Sequence, residues 1–317
     1  MKLVVPSYYA DFKCVGGSCS DNCCIGWEID IDEVTSEKYF ALDTPLGERI
    51  RKNTATEDGV CHFVMRGERC PFLNSENLCD IICEMGDGAL CDICREHPRY
   101  YTVLDDTVYG GVGLSCEEAA RLILTDSLPH EYITLETNGE REECDEELCE
   151  IFLALREGIS EIFGDGKQSM VYIKEELFKA VSRAQAKADG MPEIPCEIKD
   201  FSHLELVDIV EKCELLTDEL PSLLRSAEGL PKHCENINNY LQNLLLYFLD
   251  RYLPKAVEDG DFVGKLKLAL FSLSAIEHLF CTEKDLTLDR AVYLSKLYSK
   301  EIEYNEDNIL KIESTVG

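Results

Sequence analysis

The apolar positions follow two regimes along the chain. From Cys149 onward they recur at helical spacing. Ile151, Leu153, Leu155, Ile159 and Ile162 open the pattern, and Val171, Ile173, Leu177, Val181 and Ala184 continue it at three- and four-residue steps. Asn236 to Leu253 is densely apolar on one side, and Pro254 stops it because proline lacks the amide donor that a helix interior needs. Asp261 predicts an N-cap for a helix through Leu266, Leu270, Leu273 and Ile276, and another helix runs from Asp285 to about Tyr304. This half reads as a bundle of roughly five to seven helices.

Before residue 125 the pattern breaks into short pieces. Gly16-Gly17, Gly26, Gly67, Asn74, Gly86, Gly88, Gly110, Gly111 and Gly113 interrupt any long periodic element. Trp27 to Ile31 and Tyr100 to Leu104 predict strands, and Glu117 to Leu124 a short helix directly after Cys116. Residues 136–148 are acidic, a solvated stretch that runs into the first long helix. The expected fold is mainly α. An irregular cysteine-rich metal-binding region with short strands (1–126) is followed by an acidic linker (127–148) and a helical domain (149–317).

Composition sharpens this. With 45% hydrophobic residues in 317, the chain has enough apolar surface to bury a core without disulfide staples. The first residues, Met1 to Pro6, do not read as a signal peptide, and no stretch is apolar enough to span a bilayer. The expected compartment is the cytoplasm, where thiols stay reduced. A formal charge of −31 repels nucleic-acid phosphates and anionic membranes, so neither is an expected partner, while a surface rich in lysine or arginine is favoured.

Of 17 cysteines, most crowd into the first 116 residues: Cys14, Cys19, Cys23, Cys24, Cys61, Cys70, Cys79, Cys83, Cys91, Cys94 and Cys116. In a reducing compartment, thiols at such short intervals point to metal rather than disulfides. Cys91-x-x-Cys94 lets both sulfurs reach one zinc or adjacent irons of one cluster. Gly16-Gly17 permits a close wrap of backbone beside Cys14 and Cys19. Spacing alone leaves zinc and iron–sulfur both open. No Cys-x3-Cys-x2-Cys triplet occurs, which argues against the class of proteins built on that motif. The six remaining cysteines, Cys144, Cys149, Cys196, Cys213, Cys234 and Cys281, read as helix-packing residues.

The stretch Phe12-Lys13-Cys14-Val15-Gly16-Gly17-Ser18-Cys19, then Asp21-Asn22-Cys23-Cys24 and Gly26-Trp27, resembles the opening of the flagellin lysine-N-methylase family. The likeness runs on through Cys70-Pro71-Phe72-Leu73, Leu78-Cys79-Asp80-Ile81, Leu90-Cys91-Asp92-Ile93-Cys94-Arg95, Pro98-Arg99 and Leu114 to Arg121. Asn239-Tyr240 to Phe271 resembles the helical part of that family. The resemblance implies methyl transfer from S-adenosylmethionine to lysines of flagellin, with an iron–sulfur cluster, of the [4Fe-4S] kind, on the cysteines. Related proteins are described as chelating zinc or iron, so zinc is the alternative metal, and a non-enzymatic zinc- or iron–sulfur-organised interaction or electron-transfer module is the alternative reading. The ligand candidates carried over are Cys14, Cys19, Cys23, Cys24, Cys70, Cys79, Cys91, Cys94 and Cys116, with Cys61 a looser match.

Methyl transfer to lysine needs a neutral amine aligned with the sulfonium methyl. Tyr100, Tyr101 and Tyr109 suggest an aromatic channel for a lysine, which makes Tyr109 a catalytic candidate. Glu117 is a second, placed to steer a proton. Arg95 and Arg99 flank the Cys91–Cys94 loop and are the candidates for holding the methyl donor. Gly110-Gly111-Val112-Gly113 is not followed by a βαβ unit, so it reads as a turn presenting Cys116 rather than as a nucleotide fingerprint.

Overall fold

The computed structural model describes all residues except Asp21, Trp27, Pro129, 194–199 and 231–236. Trp27 of the expected first strand, Asn236, Cys196 and Cys234 therefore lie outside the described residues. The chain forms two compact units, one of residues 13–99 and one of residues 1–12 with 100–317. The architecture is mainly α, as expected, with short strands.

The smaller unit carries β2 (Asp30–Ile31), α1 (Glu33–Phe40), α2 (Pro45–Lys52), β3 (Thr54–Glu57), β4 (Val60–Phe63), α3 (Asp80–Met85) and α4 (Asp92–Glu96). Its sheet has the order β2-β4-β3. Asp58-Gly59 turns the β3–β4 hairpin with both residues at positive φ, as a two-residue hairpin loop requires. Asp32 caps α1 by accepting from Thr35 N at 2.8 Å, and Thr44 caps α2 ahead of Pro45. The core is small: Ile29, Ile31, Tyr39, Leu46, Ile50, Phe63, Phe72, Leu73 and Ile81, joined by Cys70 and Cys91. A unit with so few buried side chains gains little from burial alone.

The larger unit begins with β1 (Lys2–Pro6) and resumes with β5 (Arg99–Leu104, whose first residue belongs to the smaller unit), β6 (Thr107–Val112) and β7 (Tyr132–Glu136). The sheet order is β5-β6-β1-β7, with β1 parallel to β6 and antiparallel to β7. The first strand is thus held by partners more than a hundred residues away, and this is why residues 1–12 group with the C-terminal part. The segment read as a linker contributes β7, and Asp145 then caps the next helix through Leu148 N at 3.0 Å.

Helices follow: α5 (Glu117–Thr125), α6 (Glu146–Phe163), α7 (Met170–Ala188), α8 (His203–Val210), α9 (Glu219–Ser226), α10 (Asn238–Tyr252), α11 (Ala256–Asp259), α12 (Phe262–Cys281), α13 (Leu288–Tyr298) and α14 (Glu306–Val316). Among the described residues this exceeds the expected number after Cys149. The additions are short helices with narrow apolar faces, such as α14, which buries only Asn308 and Ile312. Helices α10 and α12 are buried on nearly every side, which marks them as the centre of the bundle. Asp261 caps α12 as expected, accepting from Gly264 N at 2.7 Å. No helix among the described residues is long and apolar enough to cross a membrane.

The glycine run differs from expectation. Gly110 and Gly111 form no turn; they lie inside β6. A Cβ on Gly111 would stand 2.6 Å from the Tyr100 hydroxyl, and one on Gly110 would stand 2.7 Å from the Tyr100 carbonyl oxygen. Glycine is needed because neighbouring aromatic residues occupy the space. Cys144 and Cys149 pack against the core of the larger unit, as expected, and are also paired as a disulfide at the start of α6.

Candidate functional site

The cysteines of the smaller unit are gathered by backbone hydrogen bonds. Cys70 N donates to Cys24 O at 2.8 Å, beside a bridge between Ile25 and Arg69. Leu73 bridges to Cys79, and Asp80 N donates to Phe72 O at 2.8 Å, closing the Cys70–Cys79 loop. Asn74 orders that loop by accepting from Glu76 N and Leu78 N at 2.9 and 3.0 Å, and it donates to Asp80 at 3.0 Å. Arg49 clamps both ends. Its guanidinium lies 2.5 Å from Asp80 and 2.9 Å from Pro71 O, over the Phe72 ring.

Cys79 and Cys91 are the residues immediately preceding α3 and α4, and Cys94 lies within α4. Asp32 accepts from Asp92 N at 3.0 Å, and Tyr39 donates to Ala89 O at 2.6 Å. Together these hold the Cys91–Cys94 turn against α1. From sequence Asn74 reads only as a break and Asp80 only as part of the family likeness, and Arg49, Asp32 and Tyr39 carry no expected role. Only Asp32 carries a local signal, an aspartate heading a helix.

Electrostatics shows which thiols lie together. Cys24 feels Cys23, Cys70 and Cys79; Cys94 feels Cys91, Cys24 and Cys70. A hydrogen bond from Cys94 holds the Cys91 thiol below its usual range and drives Cys94 upward. The partner Cys23, then burial, raises Cys24, and burial pushes Cys70 up to about 11. Cys23, Cys24, Cys70, Cys79, Cys91 and Cys94 therefore form one group. Cys61 packs at the edge of the same core.

Cys14 is exposed, ahead of the turn Gly16–Ser18. Cys19 follows that turn, which packs on the Cys70–Cys79 loop: a Cβ on Gly17 would stand 2.9 Å from Glu76 O. Cys116 stands in the other unit, immediately before α5, with Glu117 opening that helix.

Among the described residues, no group of three or more His, Cys, Asp or Glu side chains is placed so that it could hold a metal ion. The donor set nevertheless suits a thiolate-bound metal. It is all sulfur, from exposed Cys23 to buried Cys70 and Cys91, and neighbouring thiols raise Cys24 and Cys94, a cost that a cation removes. Zinc and an iron–sulfur cluster both fit that chemistry. Arg95 is engaged with Asp92 and Glu96, and Arg99 donates to Arg95 O at 3.3 Å.

The larger unit holds a concave feature. Tyr109, Tyr132, Phe152, Arg156 and Asp250 line a cleft with Val4, Ile159, Leu249 and Leu253. The Tyr109 and Phe152 rings meet edge-on at 5.1 Å. The Arg156 guanidinium sits 4.0 Å from the Tyr132 ring centre and 5.5 Å from that of Tyr109. Tyr132 donates to both Asp250 oxygens at 2.9 and 3.0 Å. Burial raises the Asp250 carboxyl, and nearby Arg156 opposes it.

Tyr109 thus lies in a cleft, but the three tyrosines line no common channel. Tyr100 is turned under Arg251, 4.8 Å from its ring centre, and Tyr101 is exposed with its hydroxyl 2.9 Å from that of Tyr9. Successive strand residues face opposite sides, so adjacent Tyr100 and Tyr101 point to different surroundings.

Three curated proteins bear on identity. The flagellar biosynthetic protein FliU of Salmonella muenchen is 30% identical over 128 residues, covering 38% of this chain and 76% of its own length. Lysine-N-methylases of Salmonella choleraesuis and Salmonella typhimurium are 30% identical over 129 residues, 38% of this chain. The match spans about a third of those two enzymes, 32% of each. No family model and no solved structure matches. Since the match takes in three quarters of the FliU chain, this protein belongs to the flagellin lysine-N-methylase family.

Proposed function

We propose that the chain is a protein lysine N-methyltransferase that takes its methyl from S-adenosylmethionine and acts on flagellin, with an iron–sulfur cluster held by its cysteines. The observation that carries the reading is the gathering of Cys23, Cys24, Cys70, Cys79, Cys91 and Cys94 in one small-cored unit. Two relatives are named for lysine methylation and a third for flagellar biosynthesis, which supports the acceptor and its source.

In the reaction, the donor's sulfur–methyl bond breaks as the nitrogen–methyl bond forms, and S-adenosylhomocysteine leaves with the electron pair. The acceptor must first lose a proton, because a free lysine has a pKa of about 10.4. A bound cluster would supply iron able to coordinate the donor's amino-acid end. The chain's own part is to hold the thiols: Arg49 and Asp80 brace the Cys70–Cys79 loop, and Asp32 and Tyr39 brace Cys91–Cys94. Such braces around ligands tune a site as much as the ligands do. Arg99 is the proposed contact for the donor carboxylate.

Anaerobic purification of the full chain, with iron, sulfide and zinc analysis and an absorption spectrum, tests the cofactor. Brown protein with iron and sulfide is expected. Colourless protein carrying zinc overturns the cluster and favours a zinc-organised interaction module.

A further inference from the structure

The cleft of the larger unit has a use that metal chemistry does not explain. The geometry points to a recognition slot for the ammonium of a lysine side chain, formed by the rings of Tyr109, Tyr132 and Phe152 and the carboxylate of Asp250, with Arg156 as its internal occupant. The inference rests on the chain's being a lysine-modifying protein and adds where a lysine is gripped.

Arg156 is a poorly satisfied cation. Among the described residues its guanidinium makes no ion pair or hydrogen bond; it lies over the two tyrosine rings, with Asp250 near enough to feel its charge. Asp250 is a buried acid that Arg156 and His130 favour only from beyond ion-pair distance. It accepts from Tyr132 alone and is ion-paired to nothing among the described residues. A guanidinium is planar and wide, whereas an ammonium is compact. One ammonium can do what Arg156 does not: sit against ring faces and also donate to a carboxylate. Val4, Ile159, Leu249 and Leu253 offer an apolar wall for the four-carbon stem. The cleft as built has little room beyond Arg156, so entry requires that side chain to swing out.

The carboxylate also selects among cations. A sulfonium centre has no N–H to donate, so Asp250 favours a lysine ammonium over the charged sulfur of the methyl donor. It also stabilises the protonated amine, which is the wrong form for accepting a methyl group. The slot therefore grips a lysine of the protein partner rather than activating it. The chain's net charge of −31 draws lysine-bearing segments towards it.

Calorimetric titration of the full-length protein with Nα-acetyl-lysine amide, without methyl donor, tests the slot. Arg156→Ala should tighten binding about tenfold, and adding Asp250→Asn should remove that gain. Arg156→Gln, which keeps most of the stem, serves if the alanine variant unfolds; Asp250→Asn alone should weaken binding in the natural chain. Nα-acetyl-norleucine amide should not bind. Equal binding of lysine and norleucine amides, no effect of Asp250→Asn, no lysine binding in any variant, or S-adenosylmethionine filling the cleft instead would each overturn the assignment. Because no methyl is transferred, the slot stands or falls separately from the enzymatic reading.

Discussion

Two single residues show how locally the fold is constrained. Gly111 leaves the space that the Tyr100 hydroxyl fills, 2.6 Å from where a Cβ would stand. Gly111→Ala should cost about 1–3 kcal/mol in chemical denaturation, by overpacking. Gly88→Ala, whose Cβ meets nothing within 4 Å, should stay within about 0.5 kcal/mol. An equal loss at both would remove the packing explanation. His130 is the second case. Burial lowers its pKa from 6.5, against the opposing pull of Asp250 and of a hydrogen bond with Asn243 at 3.2 Å. A depressed folded pKa means that the unfolded chain binds the proton more readily. The stability contributed is present above pH 6.5 and lost as pH falls through the lower folded value. His130→Gln should flatten that part of the stability–pH curve, and an unchanged slope would contradict the assignment.

Single elements carry the next constraint. A π-helical turn at Ser299–Glu303 follows α13 and presents Glu303 into the larger unit's core. There its fully buried carboxylate lies 3.1 Å from Arg251 and accepts from Tyr247 and Tyr252 at 3.0–3.1 Å. Removing one charge of a buried pair leaves the other uncompensated, so Glu303→Gln should destabilise by about 3–5 kcal/mol in a denaturant titration. A loss below about 1 kcal/mol would mean that water already solvates Arg251. Elements with broad apolar faces, such as α6, α7, α10 and α12, were legible because periodicity dominates them. α14 was not, since its buried face is too narrow to register. α8 was missed although Ser202-x-x-Glu205 is a capping-box signature, and the structure forms that box. The pairing of β1 with β6 and β7 is long-range, and nothing local in Lys2–Pro6 announces it. The site divides likewise. Cys91-x-x-Cys94 is readable from its spacing. The approach of Cys24 to Cys70 depends on a bridge between distant segments, and Tyr132, Phe152, Arg156 and Asp250 look ordinary until the fold assembles them.

The whole molecule divides its labour between a small-cored, thiol-rich unit and a helical unit with an extensive core. A unit with so little buried apolar surface should lean on the metal proposed for it. Cys79→Ser should therefore lower metal content and the unit's thermal stability together, while Cys213→Ser, on the helical side, should change neither. Retained metal in the first variant would place the ligands elsewhere. The central claim is methyl transfer to lysine, and its most direct test is mass spectrometry of flagellin. Purified flagellin would be incubated anaerobically with the full-length protein and S-adenosylmethionine bearing a deuterated methyl group. The account predicts flagellin peptides heavier by whole deuterated methyl groups on lysine, with S-adenosylhomocysteine formed in equal amount. Unlabelled lysines in the presence of metal-loaded, folded protein would contradict it.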